Sequence, residues 1–230
     1  MVDSMRAEEF TASLAALRLE NTFNPYVDRC PVHDTPGAPR TRRSILLAML
    51  KAAGEVEIDA LWIGRDLGYR GGRRTGLALT DDMHILAHAA RWGIPACRAT
   101  LGEAVGERTA AVIWGVLSQI RSHVFLWNVF PLHPHESGDP FSNRSHNSGE
   151  RRIGEDMLVQ LIQMLRPRRL ICIGNDAAHA VSRMERTEEV IQVRHPSYGG
   201  QTEFLSQVCK VYGLQRTHSR GNPAQGRLLA

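Results

Sequence analysis

The chain has 230 residues, 43% hydrophobic and 23% charged, with a formal net charge of +4. That length and composition fit one large domain with a full core and exclude collagens, disulfide mini-proteins and disordered tails. The longest apolar stretch, near Val124 to Leu132, is broken by Asn128 and falls short of a membrane span. The first residues carry charges throughout, so a mature chain starting here and a cytoplasmic location are expected, with no membrane partner. Lys51 and Lys210 are the only lysines, which makes the positive charge almost wholly arginine. Arginine's planar fork suits phosphates and bases, and genomic codon bias gives the same skew. Cys30, Cys97, Cys172 and Cys209 are scattered without a CxxC pair, so they read as small buried hydrophobes and not as a metal or disulfide framework.

In chain order, residues 1–43 read as a helical and loop extension packing on the core, with a Pro-rich loop over 30–43. Short apolar runs at Ile58–Gly64, Val124–Val129, Arg169–Gly174 and Val190–Arg194 read as strands buried on both faces. Helical periodicities alternate with them at Ser44–Ala53, Asp81–Trp92, Glu107–Arg121, Glu150–Leu165, Ala177–Met184 and Thr202–Tyr212. This pattern predicts a single-domain three-layer α/β/α sandwich over 44–214, around a central, mainly parallel four-stranded sheet. Residues 215–230 read as a C-terminal tail. In such sheets the active site lies beyond the carboxyl ends of the strands.

Four loops leave those ends. The first, Gly64 to Thr80, is glycine-rich, yet it fails both the dinucleotide fingerprint and the P-loop pattern. It places Asp66 just past a strand end with Arg65, Arg70, Arg73 and Arg74 around it. A carboxylate in a basic mouth suits a polyanionic substrate that reacts through a cationic centre; a solvated turn capped by the Asp is the plain alternative. Asn128 ends the second strand as either a satisfied core amide or an amide that reads a ligand edge. His195 follows the last strand on the same sheet edge. The stretch His133, His135, Glu136, Asp139 and His146 has ligand-like residues, but Pro134 disrupts it and a solvated loop is expected.

These residues resemble the uracil-DNA glycosylase superfamily. Gly64-Arg65-Asp66-Leu67-Gly68-Tyr69 is similar to the family-1 motif GQDPYH, and Gly76-Leu77-Ala78-Leu79-Thr80 to its GLCFS segment. Phe125-Leu126-Trp127-Asn128-Val129 resembles the LLLNAV strand, and His195-Pro196-Ser197 matches HPS. The run from Asn143-Arg144 to Gly174 resembles the NR…LRPKVIVALG region of the iron–sulfur members, whose cluster cysteines are absent here. The likeness covers roughly residues 56 to 213 and suggests a divergent branch. Gly68, Leu79 and Gly199 stand where family 1 has its tyrosine gate, stacking phenylalanine and wedge leucine.

The resemblance implies a monofunctional uracil-DNA glycosylase of base excision repair, monomeric and without a metal or other cofactor. It implies Asp66 and His195 as catalytic residues, and Arg65, Gly68, Leu79, Thr80 and Asn128 around the uracil. Arg70, Arg73, Arg74, Arg144, Ser197, Tyr198 and Gly199 would contact DNA. The partners implied are uracil-containing DNA, single- or double-stranded, and free uracil as product. Two rivals are a non-catalytic uracil- or abasic-DNA binding protein on the same fold and a nucleotide-binding small-molecule enzyme.

Overall fold

The computed structural model describes residues 4–215, so the expected tail lies outside the described residues apart from its first position. Helix α1 (Ser4–Ala16) and strand β1 (Thr22–Phe23) lead into α2 (Ala38–Ala53) and the central strand β2 (Ala60–Gly64). The short α3 (Gly72–Thr75), α4 (Ile85–Arg91) and α5 (Arg108–Leu117) precede β3 (Val124–Asn128) and β4 (His133–Pro134). Then come α6 (Ser148–Leu165), β5 (Arg169–Ile173), α7 (Asn175–Ser182), β6 (Glu189–Val193) and α8 (Gln201–Tyr212). The main sheet runs β3-β2-β5-β6, every pair parallel, and β1 pairs with β4 in a separate antiparallel ladder. No helix among the described residues is long and apolar enough to cross a membrane.

The alternation of side chains along each strand builds the three layers. Leu61, Ile63, Phe125, Trp127, Leu170 and Cys172 face one core, closed by α1, α2, α4, α6 and α7. Ala60, Trp62, Val124, Leu126, Ile171 and Ile173 face the other, closed by α5 and α8. The indole N–H of Trp62 donates to the Tyr212 hydroxyl at 2.9 Å, which keeps the buried polar atom satisfied.

The N-terminal part belongs to this core. Ala7, Phe10 and Leu14 of α1 are buried against α2, and the boundary expected at 43/44 falls inside α2. The expected loop over 30–43 ends early because Pro39 occupies the first turn of α2, where its missing N–H has no intrahelical partner to lose. Arg42 explains the fixed position of this helix. Its guanidinium is fully buried, pairs with both oxygens of buried Asp34, and donates from Nε to the Arg74 carbonyl at 2.8 Å.

Removing one partner of such a pair leaves an uncompensated buried charge. Arg42→Ala should therefore lower unfolding stability by about 3–5 kcal/mol. Denaturant melts check this, and a loss under about 1 kcal/mol would show that water reaches Asp34 in the variant.

Candidate active site

Parallel pairing sets the site. Gly64 and Asn128 are Cα partners at the carboxyl ends of β2 and β3. Asn128 lays its amide across Gly64 so closely that a Cβ there would collide with Asn128 Oδ1 and press on Leu79 Cδ2 at 3.1 Å. Only glycine leaves this room. Asn128 Oδ1 is buried and has no hydrogen-bond partner among the described residues.

Two residues past Gly64, Asp66 accepts a hydrogen bond from Arg65 Nε at 2.8 Å. The same oxygen, Oδ2, lies 3.4 Å from His146 Nδ1, and the Asp66 and His146 side chains are only 8% exposed. His146 packs on Phe130 and its Nδ1 has no hydrogen-bond partner. Most of the loop carrying it is solvated, as expected, but it is anchored at two points. The Asn143 side chain accepts the Tyr69 N–H at 2.9 Å and the Leu132 carbonyl accepts the Leu67 N–H, which clamps this loop onto the first motif. Positions 136–140 are exposed, as are Asn143, Ser145 and 147–149, while His133 is buried and His146 half-buried. Among the described residues no group of three His, Cys, Asp or Glu side chains is placed to hold a metal ion.

His195 stands two residues beyond β6, backed by Gly174 at the end of β5, where an added Cβ would meet His195 Cβ at 3.2 Å. Its Nδ1 accepts the Ser197 backbone N–H at 3.2 Å and contacts Ser197 Oγ at 2.7 Å. A ring nitrogen that accepts an amide N–H carries no proton, so the neutral imidazole holds its hydrogen on Nε2. Burial, then the charges of Arg65 and Arg194, push the His195 pKa down and favour that neutral form.

Gly68 and Leu79 join this crevice, and Leu79 adopts φ +54°, a left-handed conformation costly for a branched side chain. The Leu79 carbonyl accepts from Trp114 Nε1 at 3.1 Å, which holds it there. Opposite Asp66 lies a residue the motifs did not single out. Glu107, the residue before α5, donates its backbone N–H to Asp81 Oδ2 at 2.6 Å. Its carboxyl caps no helix and instead rests 3.3 Å from where a Gly68 Cβ would be, and would collide with one on Gly71. Burial, then the charges of Asp81 and Asp66, raise its pKa. Its one sequence signal was an acidic residue opening an apolar helix, which reads as ordinary.

Four expected contacts are corrected. Thr80 is buried and its hydroxyl is bonded to the Ala78 carbonyl and to His88 Nδ1, so its side chain does not face the crevice. Arg73 is 4% exposed and lies between the rings of Phe23 and Phe141, 4.0 and 5.0 Å from their centroids. Arg74 is 5% exposed and pairs with Asp82. Arg144 grips Glu150 at 2.6 and 2.7 Å and the carbonyls of Asn21 and His135. These arginines hold loops to the core and offer no fork to a phosphate. Arg70 is exposed and stacked on Tyr69, while Tyr198 is 98% exposed at the tip of the His195 loop, beside Gly199.

In open parallel α/β sheets ligands bind beyond the carboxyl ends of the strands, where these groups lie. A family model described as the uracil DNA glycosylase superfamily matches residues 53–210, and the chain belongs to that superfamily. The crystal structure of wild-type SMUG2 from Pedobacter heparinus shares the fold: TM-score 0.61, 12% identity, covering 90% of this chain and 97% of that one. No curated protein matches.

Gly64→Ala should force Asn128 or Leu79 aside and lower stability by about 1–3 kcal/mol through overpacking. Thermal melting checks it; an unchanged midpoint would mean that the strand ends are looser than their packing indicates.

Proposed function

We propose that the chain is a monofunctional uracil-DNA glycosylase that acts as a monomer, needs no cofactor and leaves an abasic site. The observation that supports this reading is the buried, unpartnered Asn128 Oδ1 at the strand end beside Gly64, on the sheet edge from which Asp66 and His195 also project. A buried polar atom without a partner is costly, and a base edge supplies the partner.

The flipped base lies on Leu79 with its ring edge against Asn128. The bond from C1′ of the sugar to N1 of the base breaks, its electron pair leaves on the base, and an oxocarbenium-like sugar forms. Asp66, held by Arg65, faces that cation and orients the water whose oxygen bonds to C1′; the proton this water loses is taken up by the Asp66 carboxylate and balances the one the departing base anion gains from solvent. His195 donates from Nε2 to the oxygen that gains negative charge, and Ser197 fixes the tautomer that makes this possible. Neutral imidazole suits the task, because its hydrogen bond strengthens as the charge develops.

DNA contacts fall to the outer rim. Arg70 and the backbone around Ser197 and Gly199 would contact phosphates, and what supports this is that Arg70 is exposed and Tyr198 is an exposed ring with open space around Gly199. The ring can enter the gap left by the extruded nucleotide, taking the part of a wedge.

Asp66→Asn keeps the shape and removes the charge, and base release should fall roughly 10²-fold or more with oligonucleotide binding retained. Single-turnover release from a uracil-containing single strand, measured beside a mobility shift, checks it. Equal rates would remove Asp66 from the chemistry, and binding without release by the natural chain would favour a non-catalytic binder. Tyr198→Ala should slow release from duplex U·A roughly tenfold and leave single-stranded uracil nearly unchanged, because only the duplex requires unstacking. Equal slowing on both substrates would contradict the wedge.

A further inference from the structure

The glycosylase reading gives Asp66 two tasks, to face the sugar cation and to orient water. A carboxylate does both only if its plane is held, because a small misplacement of a catalytic group is costly in rate. Arg65 alone is a loose holder. Its side chain is 39% exposed, and its Nη1 also leans toward Asp176, whose Oδ2 stands 3.9 Å away. Ion pairs this open to solvent fix little. A second group is needed on the carboxylate, and it must come from a braced part of the fold.

We propose that His146 is a positioning residue for Asp66: its Nδ1 holds Oδ2 together with Arg65 and leaves Oδ1 to face water and sugar. The inference rests on the glycosylase reading and deepens it. Both contacts of the carboxylate, Arg65 Nε at 2.8 Å and His146 Nδ1 at 3.4 Å, fall on Oδ2. The Nδ1 atom is buried and has no hydrogen-bond partner among the described residues. A buried nitrogen left unpaired is costly, and the Asp66 carboxylate is the acceptor beside it. Catalytic hydrogen bonds are often long in a free enzyme and tighten around the substrate.

The imidazole is built into place from several sides. Phe130 is its platform, with ring centroids 5.9 Å apart. That platform is tied to the first motif, because the Phe130 N–H donates to the Arg65 carbonyl at 2.9 Å. Helix α6 presses on the same segment: a Cβ on Gly154 would collide with the Val129 carbonyl and meet Phe130 Cα at 3.0 Å. The chain beyond His146 is anchored as well. The Asn147 side chain accepts the N–H groups of Gly149 and Glu150 at 2.9 Å, and Glu150 accepts the Asn147 N–H at 2.7 Å. This reciprocal cap satisfies donors at the start of α6, and drift of the residue before it would break it. Arg144, two residues ahead of His146, grips that same Glu150. The helix cap, the arginine and the phenylalanine thus aim one ring nitrogen at one carboxylate oxygen.

The experiment must separate a donor held on Asp66 from a ring that only packs. Single-turnover release of uracil from a single-stranded oligonucleotide is measured beside oligonucleotide affinity and thermal melting. His146→Phe keeps a ring on Phe130 and removes the nitrogen, so release should fall roughly tenfold or more with affinity within about twofold. His146→Asn sets an amide N–H where Nδ1 stood and should restore release to within roughly threefold of the natural chain. Because His146 acts through the carboxylate, His146→Phe should cost less than about twofold when added to Asp66→Asn, a double-mutant cycle that a purely structural role would leave additive. Natural release by His146→Phe overturns the proposal. So does a folded His146→Asn as slow as His146→Phe, or an undiminished loss in the Asp66→Asn background. Should His146→Phe fail to fold, His146→Leu, smaller and equally without a donor, takes its place under the same criteria. A natural chain that releases no base overturns the glycosylase reading and this inference together, whereas release unaffected by the His146 variants overturns only the inference.

Discussion

The structure depends on the close approach of Gly64 to Asn128 across the β2–β3 ladder. Parallel register sets the two residues side by side at the strand ends, and the absence of a side chain at Gly64 lets the amide lie over the backbone that leads to Asp66. Every other polar group in the crevice is placed relative to that pair. Asp66 sits two residues beyond one strand, Asn128 on the last residue of its neighbour, and His195 two residues beyond β6. A shift of one residue in the β2–β3 pairing would take Asn128 away from Gly64 and turn its amide to the opposite face.

Around this centre the protein uses arginine as an internal fastener. Arg42 with Asp34, Arg74 with Asp82, and Arg144 with Glu150 form buried or half-buried pairs, and Arg73 lies between two aromatic rings. A guanidinium suits such places because it is weakly hydrated, planar and able to satisfy several acceptors at once. The result is a motif loop braced from behind, with Arg42 gripping the Arg74 carbonyl and Tyr26 donating to the Gly76 carbonyl at 2.5 Å. A braced loop keeps Asp66 and Gly68 in position while a substrate is drawn in, which is what catalysis by preorganised groups requires.

Those same arginines mark the limit of what can be read from one dimension. Arg73 and Arg74, clustered in the first loop, look like part of a phosphate mouth, because composition cannot reveal that Phe23, Phe141 and Asp82 wait in the fold to receive them. The strands were legible from continuous apolar runs, and Asp66, Asn128 and His195 from their places at the ends of those runs. Thr80 was misplaced because its neighbour Leu79 takes a positive φ, which sends the hydroxyl toward His88. His146 was weighed only as a metal-ligand residue, and Glu107 was missed because it comes from a segment outside the strand-end loops. Each is positioned by tertiary contacts, Asn143 with Tyr69 in one case and Asp81 with Glu107 in the other.

The central claim is that the ends of these strands form one base pocket. Titrating free uracil into isotope-labelled protein and following side-chain amide and imidazole resonances by NMR tests it most directly. The account predicts that the Asn128 amide and the His195 ring shift together, saturating with one affinity, with the neighbouring Ser197 amide following. Saturable shifts confined to other parts of the molecule, with Asn128 and His195 unmoved, would contradict it.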